Sequence, residues 1–216
     1  MSGPKPTFYV RFGKRLLDLS VSLVALAALS PLWLFLALAI AVESRGGAFY
    51  RQERIGLQGR PFLLWKFRSM VVGAEHKGAG ALVEKNDARV TRVGKIIRKA
   101  SLDEIPQLFN VVTGEMSVVG PRPGLRYQAE LYDEAQRRRL LVKPGVTGWA
   151  QVNGRNSIEW PRRIELDLEY VERVSLGTDL KIILLTIPSI LKGQDMIAGR
   201  DYWKERAKER EARDGR

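Results

Sequence analysis

The chain has 216 residues, long enough for one globular domain of about 170 residues beside a membrane segment. It has no cysteine, which excludes a disulfide framework and thiolate metal sites, and its one histidine, His76, sits in a glycine-rich stretch that reads as solvated loop, which argues against histidine-based hydrolysis. Lysine and arginine outnumber the acids 36 to 24, and the net charge of +12 asks for an anionic partner: nucleic acid, lipid headgroups or a phosphorylated substrate.

Residues 1–18 predict an amphipathic entry helix, with Phe8, Phe12, Leu16 and Leu17 set against Arg11, Lys14 and Arg15. Between Asp18 and Glu43 follow 24 uncharged residues with Ser30-Pro31 at their middle. As one helix they would measure about 36 Å, enough for a hydrocarbon core of roughly 30 Å. Proline inside a helix removes a hydrogen bond and clashes with the preceding turn, at ~3 kcal/mol or more. Ser30 can answer part of that loss by bonding back to a carbonyl one turn earlier. A kinked span, a re-entrant hairpin and a buried core helix all fit the apolar run. Basic residues stand on both sides, Lys5, Arg11, Lys14 and Arg15 before and Arg45, Arg51, Arg54 and Arg60 after. The positive-inside rule is met only if both ends stay on the cytoplasmic face, which favours the hairpin. A signal peptide is not expected, because the run is too long and Glu43 follows it.

Residues 48–70 predict a β-hairpin turning at Leu57-Gln58-Gly59. Its alternation puts Lys66 and Arg68 on one face and Phe67 on the other, suited to phosphate or lipid and equally to a solvated strand. Residues 73–88 read as a glycine-rich loop and 89–100 as a short basic helix. Residues 101–123 begin as a capped helix, break at Gly114 and end as a strand before Gly120-Pro121-Arg122-Pro123. A polar helix over 124–142, a turn-rich loop with a short strand over 143–156 and a helix over 157–175 follow, the last with Ile164, Leu168 and Val171 in step. Residues 178–192 predict an interfacial or core helix, and 200–216 a charged, solvated or frayed one. The expected organisation is an amphipathic entry and membrane segment at 1–45, a main domain on the cytosolic face at 46–199 and the charged tail at 200–216. The fold class is α+β, mostly helical, with a re-entrant membrane hairpin broken at Ser30-Pro31, amphipathic interfacial helices and a small β-hairpin.

The pair Asp103-Glu104 lies among basic residues. Ser101 and Glu104 match a capping box, an ordinary structural use. Adjacent carboxylates can also share Mg²⁺ with substrate phosphates, or one can attack phosphorus. Phosphoryl chemistry needs cations on the non-reacting oxygens. Arg98 lies about a turn before Asp103, Arg122 stands between two prolines, and Arg155 closes a loop containing Gly145, Gly148 and Gly154. Each arginine alone reads as surface; their joint occurrence in short rigid loops shifts the balance. Asp167 and Glu169 fit an ordinary polar helical face.

KFRSM at 66–70, SLDEIPQLFNVV at 101–112, MSVVGPRP at 116–123, GVTGWAQVNGR at 145–155 and LDLEYV at 166–171 occur in one order. With these motifs the chain resembles the small monotopic phosphoglycosyl transferases of bacteria, the bacterial sugar transferase family, over about residues 9–195. The resemblance implies transfer of sugar-1-phosphate from a nucleotide sugar, usually a UDP-sugar, to polyprenyl (undecaprenyl) phosphate, with release of UMP, as a first step in surface glycoconjugate synthesis. By position it makes Asp103 the nucleophile of a phosphosugar-aspartyl intermediate and Glu104 a partner in holding Mg²⁺. Lys66, Arg68, Arg98, Arg122 and Arg155 would bind substrate, with Asp167 supporting the site. It implies a re-entrant helix at Ser30-Pro31 and a monotopic protein of the bacterial inner membrane, its catalytic domain on the cytoplasmic face. Ile105 and Glu115 replace the family's commoner leucine and aspartate, both mildly, and the chain is expected to be a minimal form. Membrane lipids are expected partners, and a homodimer is compatible with the sequence. Nucleic-acid binding by a tethered basic protein and a non-catalytic membrane anchor are the competing readings, and no nucleic-acid motif supports the first.

Overall fold

The computed structural model describes residues 3–76, 87–154, 157–191 and 200–214. A π-helical turn, Tyr9–Gly13, leads into α1 (Lys14–Ala28), and α2 (Ser30–Glu43) follows after a bend. The predicted entry helix therefore starts later than residue 1. The two arms, Tyr9–Ala28 and Ser30–Glu43, meet at 65° and are long and apolar enough to cross a membrane only as a pair; among the described residues no single helix is. The bend has a local cause. Pro31 falls in the first turn of α2, where a missing N–H costs little. Its absent N–H leaves the carbonyl of Ala27 without its usual partner, and the Ser30 hydroxyl donates to that oxygen at 2.8 Å.

The outer side of this pair exposes Val24, Leu34, Phe35, Leu38 and Val42, while Leu36 and Ile40 are buried against Phe67 and Ile97. The base of the pair is fastened to the protein by polar groups. Arg15 donates to the carbonyls of Val111 and Val112 at 2.6 and 2.7 Å. Buried Asp18 accepts from the Ser117 hydroxyl and the Val118 N–H at 2.8 and 2.9 Å. Lys14 pairs with Asp179 at 2.6 Å. Lys14 and Arg15, grouped in the sequence with Arg11 as one polar face, thus turn inward because buried acceptors reward them there.

The hairpin forms as expected: β1 (Phe49–Ile55) pairs antiparallel with β2 (Pro61–Phe67), Phe49 opposite Phe67 and Ile55 opposite Pro61. Next come α3 (Arg92–Lys99), a 3₁₀ turn at Leu102–Glu104 and α4 (Gln107–Thr113), which Gly114 ends in a left-handed conformation (φ 89°) that favours glycine. β3 (Ser117–Val119) pairs in parallel with β4 (Gly145–Thr147), a pairing between two strands that the sequence shows only singly. β3 runs through the main core among Val111, Met116, Tyr170, Val171 and Ile182.

The single helix expected over 124–142 is instead α5 (Arg126–Glu130), α6 (Glu134–Arg137) and a 3₁₀ segment, Arg138–Leu141. Asp133 restarts the chain as a new N-cap, exchanging bonds with Gln136 in a capping box, and buried Tyr132 precedes it. After β4 come α7 (Trp149–Val152), α8 (Trp160–Glu172) and α9 (Leu176–Leu191), which buries Ile182 and exposes Leu180, Leu184 and Ile187. α10 (Arg200–Asp214) departs from the solvated tail expected there: Trp203 is buried with Tyr132, Ile164 and Ile55. The fold is mostly helical with small sheets, as the sequence predicts. The predicted loop 73–88 lies largely outside the described residues.

Candidate active site

α3 begins with two acceptors on its free N–H groups. Thr91 takes the Gly94 N–H at 2.9 Å, and Glu43, the last residue of α2, takes those of Arg92 and Val93 at 2.8 and 2.9 Å. The broken apolar helix is thereby tied to the helix that carries Arg98. Past α3 the chain turns through Ser101 in a left-handed conformation (φ 57°). Ser101 makes no side-chain cap to the following turn, so the S-x-x-E capping box does not form. The two carboxylates diverge into tertiary contacts.

Asp103 is buried and borders a cavity of about 170 Å³ with Arg54, Lys66, Arg68 and Arg98. Burial, then the adjacent Glu104 carboxylate, pushes the Asp103 carboxyl above the usual range, while Lys66, Arg98 and Arg122 pull it back. Burial also lowers the Lys66 ammonium to about 8, opposed by Glu104. Arg68 is held on the hairpin by the carbonyls of Gly47 and Phe49, each at 3.0 Å. Arg98 reaches the Ser69 hydroxyl at 3.3 Å.

Glu104 borders a second cavity of about 250 Å³. Arg122 grips its carboxylate with both terminal nitrogens, one at 3.1 Å, and Lys66 stands 3.8 Å away. The Arg122 loop is set by Gly120: a Cβ there would sit 2.3 Å from the Lys143 carbonyl, so no other residue lets β3 and the chain before β4 approach this closely. Behind the loop, buried Arg139 donates to the Arg122 carbonyl at 3.0 Å, to the Tyr132 hydroxyl at 2.6 Å and to the Asp167 carboxylate. Asp167 is likewise buried, which raises its carboxyl to about 6 despite Arg139.

The chain thus brings Lys66, Arg68, Arg98 and Asp103 to one cavity and Glu104, Arg122 and Asp167 to the other, with the acidic pair between. Arg155 lies outside the described residues. Ser30 and Pro31 form the bend and line neither cavity; the helix they begin ends at Glu43, which caps the helix carrying Arg98. Sequence reasoning missed Arg139, hidden in an Arg137-Arg138-Arg139 run that reads as solvated charge. It also missed the part taken by Arg54, although Tyr50, Gln52 and Arg54 share one strand face by period-two alternation and border the same cavity.

A model of the family "Bacterial sugar transferase" matches residues 9–193. The chain belongs to the bacterial sugar transferase family. It is an enzyme of the phosphoglycosyl transferase kind. It is 45% identical over 178 residues to the uncharacterized sugar transferase EpsL of Bacillus subtilis (strain 168), covering 82% of this chain and 87% of that one. It is 44% identical over 192 residues to the UDP-glucose:undecaprenyl-phosphate glucose-1-phosphate transferase of Xanthomonas campestris pv. campestris, covering 85% of this chain and 40% of that one. It is 43% identical over 185 residues to the transferase of the same name in Escherichia coli (strain K12), covering 82% and 40%. The match therefore takes in most of EpsL and about two fifths of the two larger transferases.

Proposed function

We propose that this chain transfers sugar-1-phosphate from a UDP-sugar to polyprenyl phosphate and releases UMP. The observation that carries the reading is the position of Asp103-Glu104 between two cavities. One is lined by Arg54, Lys66, Arg68 and Arg98, suited to a diphosphate. The other combines the apolar walls of Ile105, Leu108, Val146 and Ile190 with Arg122, suited to a lipid phosphate. The names of the larger relatives, which specify UDP-glucose and undecaprenyl phosphate, support the same pair of substrates.

In the first step an Asp103 carboxylate oxygen attacks the sugar-bearing phosphorus. The bond from that phosphorus to the bridging oxygen breaks, and UMP leaves with the electron pair. Asp103 then holds the sugar phosphate as an acyl phosphate. In the second step an oxygen of polyprenyl phosphate attacks the same phosphorus, the bond to Asp103 breaks and the free carboxylate returns. Lys66, Arg98 and Arg122 lower the energy of the ionised carboxylate and of the charge that builds on the non-reacting oxygens. Their pull opposes the burial that would protonate Asp103. Arg155 and Asp167 complete the set assigned to substrate and support.

Asp103 and Glu104 offer hard oxygen donors, and Mg²⁺ commonly takes one or two carboxylates together with substrate phosphates. The donor chemistry fits, although Glu104 already answers to Arg122 and Lys66. Among the described residues no group of three or more histidine, cysteine or acidic side chains offers a fuller cage. Mg²⁺ held by Asp103 and Glu104 would neutralise phosphate charge.

The bent pair α1–α2 is the re-entrant hairpin of this reading. It enters the cytoplasmic leaflet of the bacterial inner membrane and returns, its exposed apolar side in lipid. The exposed leucines of α9 rest on the same interface. A water-soluble donor and a lipid acceptor then meet at the bilayer surface. The test incubates purified protein with Mg²⁺, polyprenyl phosphate and a panel of UDP-sugars and measures UMP. Release with one donor is expected, and no UMP with any donor overturns the reading.

A further inference from the structure

The family match stops at residue 193, and α10 begins at Arg200. This helix nonetheless packs behind the wall of the candidate site, against Trp160 and Tyr132. Trp203 is only 4% exposed although the helix around it is densely charged. Its ring meets those of Trp160 at 5.0 Å and Tyr132 at 5.7 Å, with Tyr202 at 4.9 Å on the same helix. Polar contacts fix the depth of the helix. The amide of Gln136 donates to the Tyr202 hydroxyl at 3.0 Å, Arg210 donates to the Glu130 carbonyl at 2.6 Å, and Arg206 donates to the Leu131 carbonyl at 3.4 Å. α10 therefore clasps the α5–α6 segment along its length.

Of the two rings outside α10 that Trp203 meets, Trp160 lines the site and Tyr132 contacts Arg139. Trp160 lines the cavity that holds Glu104, and Arg163 of that cavity stacks on it at 5.0 Å. Tyr132 accepts from Arg139, whose guanidinium also lies over its ring at 5.3 Å. Arg139 has a rigid planar fork, so the direction of one donor sets the others. With one terminal nitrogen on Tyr132, the other meets Asp167 and the Arg122 carbonyl. Arg122 in turn grips Glu104. An unbroken path of contacts runs from Trp203 through Tyr132 and Arg139 to Arg122, which holds Glu104, the neighbour in sequence of the reacting Asp103.

We propose that Trp203 is a positioning residue for the transfer reaction, and that α10, outside the span shared with the family, sets the Arg122 loop through Tyr132 and Arg139. The proposal rests on the reading of Asp103-Glu104 as the transferase centre. Trp203 touches no reacting atom. It fills the space behind Tyr132 and Trp160 and leaves each ring one packed position. Without it the Tyr132 hydroxyl moves, Arg139 loses one of its three anchors and the Arg122 carbonyl is held by a looser donor.

The test compares full-length wild type, Trp203→Ala, Trp203→Phe, Tyr132→Phe and Trp203→Ala/Tyr132→Phe in the UMP assay, at a temperature well below the lowest melting midpoint of the set. Trp203→Ala is expected to lower kcat about tenfold with KM for the UDP-sugar changed less than about threefold, and Trp203→Phe to recover most of kcat. Tyr132→Phe, which keeps the ring and removes the acceptor, is expected to lower kcat by a similar factor. The double variant should fall little below either single one, because both interrupt one path. If Trp203→Ala does not fold, Trp203→Leu takes its place in the same comparison. An active wild type whose folded Trp203 variants keep wild-type kcat overturns the inference, as does a double variant whose loss is the product of the single losses. A wild type inactive with every donor overturns instead the transferase reading beneath it.

Discussion

Arg122 holds the Glu104 carboxylate with both of its terminal nitrogens, and Glu104 adjoins Asp103 in the chain. The guanidinium fork therefore fixes the acid next to the proposed nucleophile while leaving its own outer edge in solvent, since the Arg122 side chain is 47% exposed. Lysine is a single point charge and cannot bridge both oxygens. Arg122→Lys is expected to lower kcat/KM by about 10²-fold, worth ~2.7 kcal/mol of transition-state stabilisation. Its melting midpoint should stay close to wild type, which differential scanning fluorimetry checks.

Asp103→Asn is expected to abolish turnover, because an amide oxygen neither attacks phosphorus nor leaves from it as a carboxylate does. Wild type given donor without acceptor should release UMP in a burst near one equivalent and gain the mass of one sugar phosphate. The variant should show neither. Near wild-type activity in Asp103→Asn would refute the nucleophile assignment. Because burial makes the charged form of Asp103 unfavourable, the variant should also resist urea at neutral pH at least as well as wild type.

Arg139 and Asp167 form a pair with side chains 3% and 2% exposed. Removing one partner strands the other charge in the interior, so Asp167→Ala should cost ~3–5 kcal/mol of stability in denaturant unfolding. The pH dependence has a definite sign. The Asp167 carboxyl is raised from 3.8 to about 6 in the folded chain, so the folded state holds this proton more tightly than the unfolded one. Its contribution is fully present below about pH 4 and is lost as pH rises through about 6. Asp167→Asn should remove that slope, and the wild-type minus variant difference in unfolding free energy, followed from pH 4 to 7, reads it.

Glu43 joins the end of the bent apolar helix pair to the start of α3 by accepting two backbone N–H groups. Glu43→Ala should cost ~1 kcal/mol, since Thr91 still caps the same helix. Amide hydrogen exchange at Arg92 and Val93 should quicken more than exchange in α4, whose ends Glu43 does not touch.

Single cysteines at Lys5 and at Arg60 stand on opposite sides of the bent pair in sequence. In sealed inverted membrane vesicles both should react with an impermeant maleimide if the chain has the proposed re-entrant hairpin, which would leave both ends on the cytoplasmic face. Labelling of one only from inside the vesicle would mean that the segment crosses.

The elements most legible in the sequence are those with local causes. Pro31 cannot supply an N–H, Ser30 can bond backward, and Gly114 accepts a left-handed conformation, so the bend and the end of α4 follow from nearest neighbours. The hairpin follows from alternation around Leu57-Gln58-Gly59. The same kind of local reading misjudged Ser101-Glu104. The S-x-x-E spacing matches a capping box, but a left-handed Ser101 and the attraction of Arg122 and Lys66 draw Glu104 elsewhere. It likewise extended one helix over 124–142, where the Asp133–Gln136 capping box starts a new one.

By itself the sequence determined the family, the break at Ser30-Pro31, the β-hairpin and the acidic pair among basic loops, because each depends on residue type and short spacing. Tertiary structure alone decided which charges count. Arg139 is one of three adjacent arginines until Tyr132, Asp167 and the Arg122 carbonyl surround it. Trp203 is one aromatic in a charged segment until it meets Trp160. The worth of a charge or a ring depends on burial and on the partners that share it, and those partners come from distant parts of the chain.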